Sequence, residues 1–332
     1  MPITVIGAGV TGLWQALTLA QAGYSVRILE LSRSVAPFSG SSSRYAGAML
    51  SPECESESAP QIVRDLGREA LKLWRVTYHG LVSKGSLVVA PHRDRAELQR
   101  FAKLTERHEL LDQAALAALE PELALRFDTA LFFPSEAHMA APDALQFLLA
   151  AIGQAGVKIV MGVDGRPAGS DGIVIDCRGR VASDRLPSLR GVRGERAIVQ
   201  ARDVHFQRPV RLLHPRIPLY IVPWGEQKFM IGATVIESEE DGPMSVRSAL
   251  ELLGAACSLH AGFAEAQILE LDAGVRPALP DNIPRAFVEG DKRTIVVNGA
   301  YRHGFLLAPM LAKAVCDYLS GAGSDSPLLV HR

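Results

Sequence analysis

The stretch ITVIGAGVTGLWQALTLAQAGYSVRILE, residues 3–30, constrains the fold more than any other part of the chain. Its apolar run Ile3 to Ile6 reads as a buried parallel strand, and Gly7, Gly9 and Gly12 follow at the spacing of a dinucleotide-binding βαβ unit. Gly7 allows the tight turn, Gly9 lets the backbone approach a pyrophosphate, and Gly12 lets helix and strand pack closely. The N–H groups at Val10 and Thr11 open a helix whose positive end favours phosphate. Glu30 closes the second apolar run about 20 residues past the glycines, where a carboxylate accepts hydrogen bonds from both ribose hydroxyls and favours an unphosphorylated ribose. Ala16 falls on the packing face of the helix, Gly23 ends it, and Val26, Ile28 and Leu29 supply the second strand. Residues 1–26 carry no charged side chain, which is also the signature of a signal peptide or membrane anchor. That reading fails because no basic segment precedes the apolar one, glycines crowd it, and Gln15 and Gln21 interrupt it.

A chain of 332 residues with 48% hydrophobic content can bury a substantial core as one large or two interleaved domains. Its 35 basic and 36 acidic side chains nearly cancel, so nothing draws it as a whole to nucleic acid or an anionic membrane, and a small molecule is the expected partner. Cys54, Cys177, Cys257 and Cys316 show no CxxC spacing, which suggests reduced thiols in a cytoplasmic protein. The histidines form no metal-binding motif, and no metal is expected.

Beyond Glu30 comes a long loop of small residues, 32–58, whose length marks it as functional. Within it Gly47, Ala48 and Met49 suit a backbone lying against a flat ligand. Residues 60–82 read as an amphipathic helix, 86–90 as a strand, 95–120 as two shorter helices, and 142–155 as a helix. His138 belongs to a turn entering that last helix at Pro142. Apolar runs at Val157 to Val163 and Gly172 to Asp176 restore the βα rhythm, so distant segments complete the nucleotide domain. Between them and the C-terminus, runs at Ala197 to Gln200, Leu219 to Val222, Phe229 to Ala233 and Ile268 to Leu271 are close together, with a turn at Trp224-Gly225, as in an antiparallel sheet. The strand Thr294 to Asn298 then leads into Gly299 and a helix from about Phe305 to Leu319. This repeats the strand, glycine and helix order of the opening motif, and a second helix N-terminus near Gly304 could hold another part of a long cofactor.

Taken with the opening motif, the segments AGAMLSPE (46–53), DCRG (176–179), LYIVPWGEQKFMIGAT (219–234), GVRPALPDNIP (274–284) and GAYRHGFLLAP (299–309) resemble the D-amino-acid oxidase family of flavoenzymes over nearly the whole chain. They are most similar to its glycine-oxidising members that serve thiamine biosynthesis. The resemblance implies an α/β fold in which a Rossmann-like FAD-binding domain, residues 1–50, 135–182 and 275–332, is interleaved with an antiparallel or mixed-sheet substrate domain, 51–134 and 183–274. Substrate would lie between that second sheet and the flavin.

In such enzymes an arginine grips the amino-acid carboxylate in a bidentate pair that lysine cannot reproduce, and here it maps onto Arg276. The tyrosine that bonds the same carboxylate maps onto Tyr220. The arginine of the C-terminal glycine loop maps onto Arg302, in contact with substrate or product. Ala46, Gly47, Ala48 and Met49 would line the flavin, with Met49 and Val235 bordering the substrate. Val163, Cys177, Gly179, His303, Gly304, Phe305 and Leu306 join the glycine motif and Glu30 as cofactor contacts. Tyr301 and His303 would support the site without reacting. Trp224 departs from the family, where arginine commonly follows the YIVP motif.

The chemistry implied is hydride transfer from the substrate α-carbon to FAD, imine hydrolysis, and peroxide formation with oxygen as acceptor. The FAD would be noncovalent, because no cysteine lies in Gly299 to Pro309, and family members are often homo-oligomers. The residues leave open a D-amino-acid or N-methylglycine dehydrogenase with another electron acceptor, and a non-catalytic flavoprotein. The first thirty residues alone would also allow an NAD-dependent dehydrogenase.

Overall fold

A computed structural model describes residues 2–33, 40–163, 172–213, 219–323 and 325–332, so residues 34–39 of the long loop lie outside the described residues. Strand Ile3–Ile6, helix Val10–Gln21 and strand Val26–Glu30 form the opening unit, with Ile3 beside Val26 in parallel register. Gly23, at φ +87°, ends the helix in a left-handed turn.

This unit is the middle of a seven-stranded sheet. From one edge to the other its strands are Leu329–His331, Arg285–Val288, Thr294–Asn298, Ile173–Asp176, Ile3–Ile6, Val26–Glu30 and Lys158–Met161. All neighbours are parallel except Arg285–Val288 with Thr294–Asn298. Central strands of a parallel sheet are covered on both faces, which is why Ile3, Val5, Ile28, Ile175 and Ile295 are all buried. Helix Val10–Gln21 packs against helices Gly304–Ser320 and Ala141–Gln154.

The second sheet has nine strands and is largely antiparallel. Its centre is Arg190–Gln200, flanked by Lys228–Gly232 on one side and Gln267–Ala278 on the other. Leu219–Pro223 and Val210–Leu212 continue it, and Val210–Leu212 pairs in parallel with Ser86–Val89. Among the described residues no helix is long and apolar enough to cross a membrane.

Several segments differ from expectation for identifiable reasons. Helices Arg95–Leu104 and Gln113–Leu119 form, but a strand, Glu109–Asp112, lies between them against Thr129–Phe133. Only Leu111 of that edge strand is buried, so no alternation marks it in the sequence. Arg190–Gln200 begins well before its apolar end, because Arg193, Glu195 and Arg196 are buried as ion-pair partners rather than solvated. Gln267–Ala278 runs unbroken across the expected domain boundary at 275 and stays paired with Arg190–Gln200 to Ala278. Helix Gln61–Thr77, expected in the second domain, buries Val63, Leu71 and Trp74 in the core around the first sheet. His138 sits in a short strand, Ala137–His138, paired with Met49–Leu50 and followed by the helix with Pro142 in its first turn.

Candidate active site

A cavity of about 790 Å³ opens at the C-terminal ends of the parallel strands, the position where such sheets bind ligands. Because the strand order is fixed, so is the order of its lining along the sheet: Val163, Glu30, Gly7, Cys177, then Asn298 with the loop to Gly304. The strands Arg190–Gln200, Leu219–Pro223 and Gln267–Ala278 supply Arg196, Tyr220 and Arg276 to the same cavity. The space between the two sheets is thus one continuous chamber, nucleotide-like at one end and cationic at the other.

At the glycine end the geometry excludes side chains. Gly7 has φ +94°, and a Cβ on Gly12 would lie 1.9 Å from the Gly7 carbonyl oxygen. Glu30 accepts hydrogen bonds from the backbone N–H groups of Ala8 at 2.6 Å and Ser32 at 2.9 Å, which fixes its carboxylate at the cavity edge. Val10 donates its N–H to Ser43 Oγ at 3.1 Å, so the long loop is tied to the helix N-terminus. Cys177 is a buried thiol whose pKa burial pushes up, with Asp176 adding to the effect. Asn298, which the sequence reading missed, donates from Nδ2 to the Gly179 carbonyl and accepts from the Gly299 N–H, both at 2.8 Å, joining two cavity loops.

At the other end Arg276 donates to the Thr234 carbonyl at 3.2 Å. Its guanidinium lies over Gly194, where a Cβ would come within 2.0 Å of Nη2. No carboxylate among the described residues pairs with it, and burial lowers its pKa, opposed by Tyr220 and reinforced by the charge of Arg302. A guanidinium enclosed in this way is short of an anion. Arg302 differs: its Nη2 meets Glu55 Oε1 at 3.0 Å, and this charge raises its pKa against burial.

Glu55 and Arg211 were not foreseen: Glu55 is one of several acids in the loop 32–58, and Arg211 lies in a short strand outside the motifs. Glu55 also accepts from Arg211 Nη2 at 3.2 Å. Burial works against its ionisation, but Arg302 and then Arg211 overcome that and hold it down at about 2. His303 Nδ1 lies 3.6 Å from Glu55 Oε2, and burial lowers this imidazole to about 4, so it is neutral at physiological pH.

Trp224 also acquires a role. Its ring lies 5.4 Å from the Arg196 guanidinium, which has the Tyr45 ring at 5.6 Å and donates to Glu270 and Asp272. A buried arginine from a neighbouring strand therefore stacks on this tryptophan.

Most of the residues singled out from the sequence border the chamber: Gly7, Gly9, Val10, Thr11, Glu30, Ala46, Gly47, Ala48, Met49, Val163, Cys177, Gly179, Tyr220, Arg276, Arg302, Gly304 and Phe305. Four do not. Gly12 is covered by Gly7, and His303 is buried beside Glu55. Leu306 packs on Gly67, where a Cβ would meet its Cδ2 at 2.9 Å, so it serves the helix interface. Val235 is 42% exposed, and Ala233 borders the chamber in its place, because the chain leaves the sheet after Gly232.

Residues 2–318 match the family model described as FAD dependent oxidoreductase. The chain belongs to this family of FAD-dependent oxidoreductases. It is 49% identical to a putative thiamine biosynthesis oxidoreductase, ThiO, of Rhizobium etli, over 96% of each chain. It is 28% identical to a glycine oxidase of Geobacillus kaustophilus, covering 95% of this chain and 92% of that one. The crystal structure of glycine oxidase from Geobacillus kaustophilus superposes with a TM-score of 0.81 at 24% identity, over 99% of this chain and 98% of that one, and so shares the fold. FAD is the cofactor of this oxidoreductase family. The left-handed turn at Gly7, the side-chain-free approach at Gly12 and the helix N-terminus at Val10 fit its pyrophosphate, and Glu30 its ribose.

Proposed function

We propose that this enzyme oxidises glycine or another small amino acid in service of thiamine biosynthesis, as a cytoplasmic homo-oligomer with noncovalent FAD and oxygen as acceptor. The names of the Rhizobium and Geobacillus relatives support the substrate and the pathway. The observation that carries the reading is Arg276, a guanidinium on the chamber wall beside Tyr220 and without an acidic partner among the described residues. Held by the backbone at Gly7, Gly9 and Val10 and by Glu30, bound FAD would supply the acceptor for a hydride from the substrate α-carbon, with the resulting imine hydrolysed by water and the two electrons passed to oxygen as peroxide.

The protein's share is binding and orientation. Arg276 takes the substrate carboxylate through two parallel hydrogen bonds, and the Tyr220 hydroxyl donates a third. The carboxylate then fixes the α-carbon between the second sheet and the loop Ala46 to Met49. Space near Tyr220 is limited, since a Cβ on Gly47 would meet Met230 Cε at 2.2 Å, so small substrates are favoured. The hydride leaves from the free-amine form of the substrate, whose ammonium proton passes to water before transfer, so no residue of the chamber is assigned as a base.

The test is a peroxide assay with glycine, N-methylglycine, D-alanine, D-proline, D-phenylalanine and L-alanine on the wild type, Arg276→Ala and Arg276→Lys. Glycine or another small amine should lead. Arg276→Ala should lose about 3 to 5 kcal/mol of transition-state binding, a hundredfold to several thousandfold in kcat/KM, while still releasing yellow FAD on acid precipitation. Arg276→Lys should recover a part only. Near-normal kcat/KM in Arg276→Ala, or D-phenylalanine as the best substrate, would overturn the reading.

A further inference from the structure

The mechanism above gives Glu55 no task, yet it is the most heavily neutralised acid in the chamber. Arg302 and Arg211 converge on a single oxygen of it, at 3.0 and 3.2 Å, and all three side chains line the cavity that holds Arg276 and Tyr220. Glu55 Oε2 and Arg211 Nε are buried without a hydrogen-bond partner. Two guanidinium groups around one carboxylate, with donor and acceptor capacity left over, is the arrangement expected around a bound acid ligand. Here the acid belongs to the protein.

We propose that Glu55 is a built-in substitute for a ligand carboxylate: it fills a second anion position beside Arg302 and Arg211 and so restricts the enzyme to substrates with one acidic group. The inference rests on the reading that Arg276 takes the first carboxylate. Glu55 is well placed to do this because it cannot easily withdraw. It ends the short helix Pro52–Glu55, whose Glu53 is gripped by Arg68 through hydrogen bonds of 2.7 and 2.6 Å, and whose Cys54 N–H donates to the buried Glu136 at 2.8 Å. A second substrate carboxylate, as in an N-carboxymethyl amino acid, would face an ionised Glu55 at close range in an enclosed site, where like charges repel strongly. Without the Glu55 charge the same wall would present two arginines lacking an anion. Specificity against diacids then resides in an acid that touches arginines rather than substrate.

The experiment uses the FAD-loaded wild type, Glu55→Gln and Glu55→Ala. Flavin absorbance is titrated with acetate, malonate, succinate and N-carboxymethylglycine, and kcat/KM is measured for glycine and N-carboxymethylglycine. The wild type should bind acetate and hold no dicarboxylate appreciably tighter. Glu55→Gln removes the charge and Glu55→Ala also makes room, so the preference for dicarboxylate over acetate should rise roughly tenfold or more, furthest in the alanine variant. The kcat/KM ratio should move the same way. The ratio is the readout because general damage to the site lowers both affinities together.

A wild type that already prefers a dicarboxylate by about tenfold overturns the proposal without any variant. So does an unchanged ratio in folded, flavin-loaded variants. If the variants lose flavin, the wild-type ratio decides. A wild type that binds no monocarboxylate at all would instead remove the Arg276 reading, and this proposal with it.

Discussion

A methyl group on Gly47 would meet Met230 Cε at 2.2 Å and Tyr220 Cε2 at 2.9 Å, whereas one on Gly12 would meet the backbone oxygen of Gly7 at 1.9 Å. The two glycines therefore fail differently. Met230 is flexible and can yield, but the tyrosine ring then shifts from the carboxylate it is proposed to bond. Gly47→Ala should raise KM for glycine about tenfold, through overpacking worth about 1 to 3 kcal/mol, while FAD stays bound. Steady-state kinetics with flavin content measured alongside checks this, and an unchanged KM would mean that Tyr220 is not held by this contact. Gly12→Ala meets backbone that cannot yield and should lose the cofactor altogether. Both glycines were legible, because a glycine where backbone meets backbone or ligand has few alternatives. Val235 and Leu306 face elsewhere because the motif does not show where the chain leaves the sheet after Gly232, nor which face of helix Gly304–Ser320 packs on Gly67. Glu55 was missed since nothing in PECESES marks one acid as buried.

At the scale of elements, helix Gly304–Ser320 contains Pro309, which has no N–H to give the Phe305 carbonyl four residues earlier. Trp74 of helix Gln61–Thr77 supplies the missing donor: its indole N–H bonds the Phe305 oxygen at 2.7 Å. The ring also stands edge-on to Trp14 at 4.9 Å, so one side chain joins three helices of the nucleotide domain core. Trp74→Phe keeps an aromatic ring but leaves a buried carbonyl unpaired, which should cost about 1 to 3 kcal/mol. Melting of the apoprotein should fall accordingly, and FAD affinity should weaken because Phe305 borders the cofactor chamber. A variant as stable as the wild type would show that the carbonyl finds another donor. The helix itself was legible from its apolar period. The Trp74 contact was not, since it joins residues 231 positions apart. The buried charges of Arg190–Gln200 hid most of that strand for a related reason: ion pairing, not hydropathy, keeps them inside, Arg193 with Glu195 along the strand and Arg196 with Glu270 and Asp272 of the neighbouring one.

Across the whole molecule, three buried groups set opposing responses to acid. Burial raises Glu136 from 4.5 to about 7, so the folded state holds its proton more tightly than the unfolded chain and stability falls as pH rises between those values. Burial lowers His138 and His303 from 6.5 to about 4, so their contribution is complete above pH 6.5 and is lost as pH falls toward 4. Glu136→Gln keeps an acceptor for the Cys54 N–H and cannot ionise. It should raise the melting temperature at pH 8, where the ionised acid costs roughly 3 kcal/mol, and the advantage should shrink toward pH 5. Thermal denaturation of both proteins at several pH values reads this directly, and an advantage that grows in acid would refute it. At this scale the return of the chain to its first sheet was legible from the βα rhythm, because parallel strands need crossovers.

That return has a consequence for how the molecule is made. The first sheet takes its strands from residues 3–30, 158–176 and 285–331, and the neighbour of Ile3–Ile6 on one side is Ile173–Asp176. On the ribosome the strand Ile3–Ile6 therefore emerges with one edge unpaired until Ile173–Asp176 has followed it. The loop from Asn298 to Gly304, which completes the chamber, leaves after the other strands and loops that line it. Because long-range pairing of this kind is slow and leaves apolar edges exposed, a nascent chain is vulnerable until the distant strands of the sheet have emerged. Flavin can be captured only by a chain that has closed the whole circuit, so the yellow colour of a preparation counts completed molecules rather than synthesised ones.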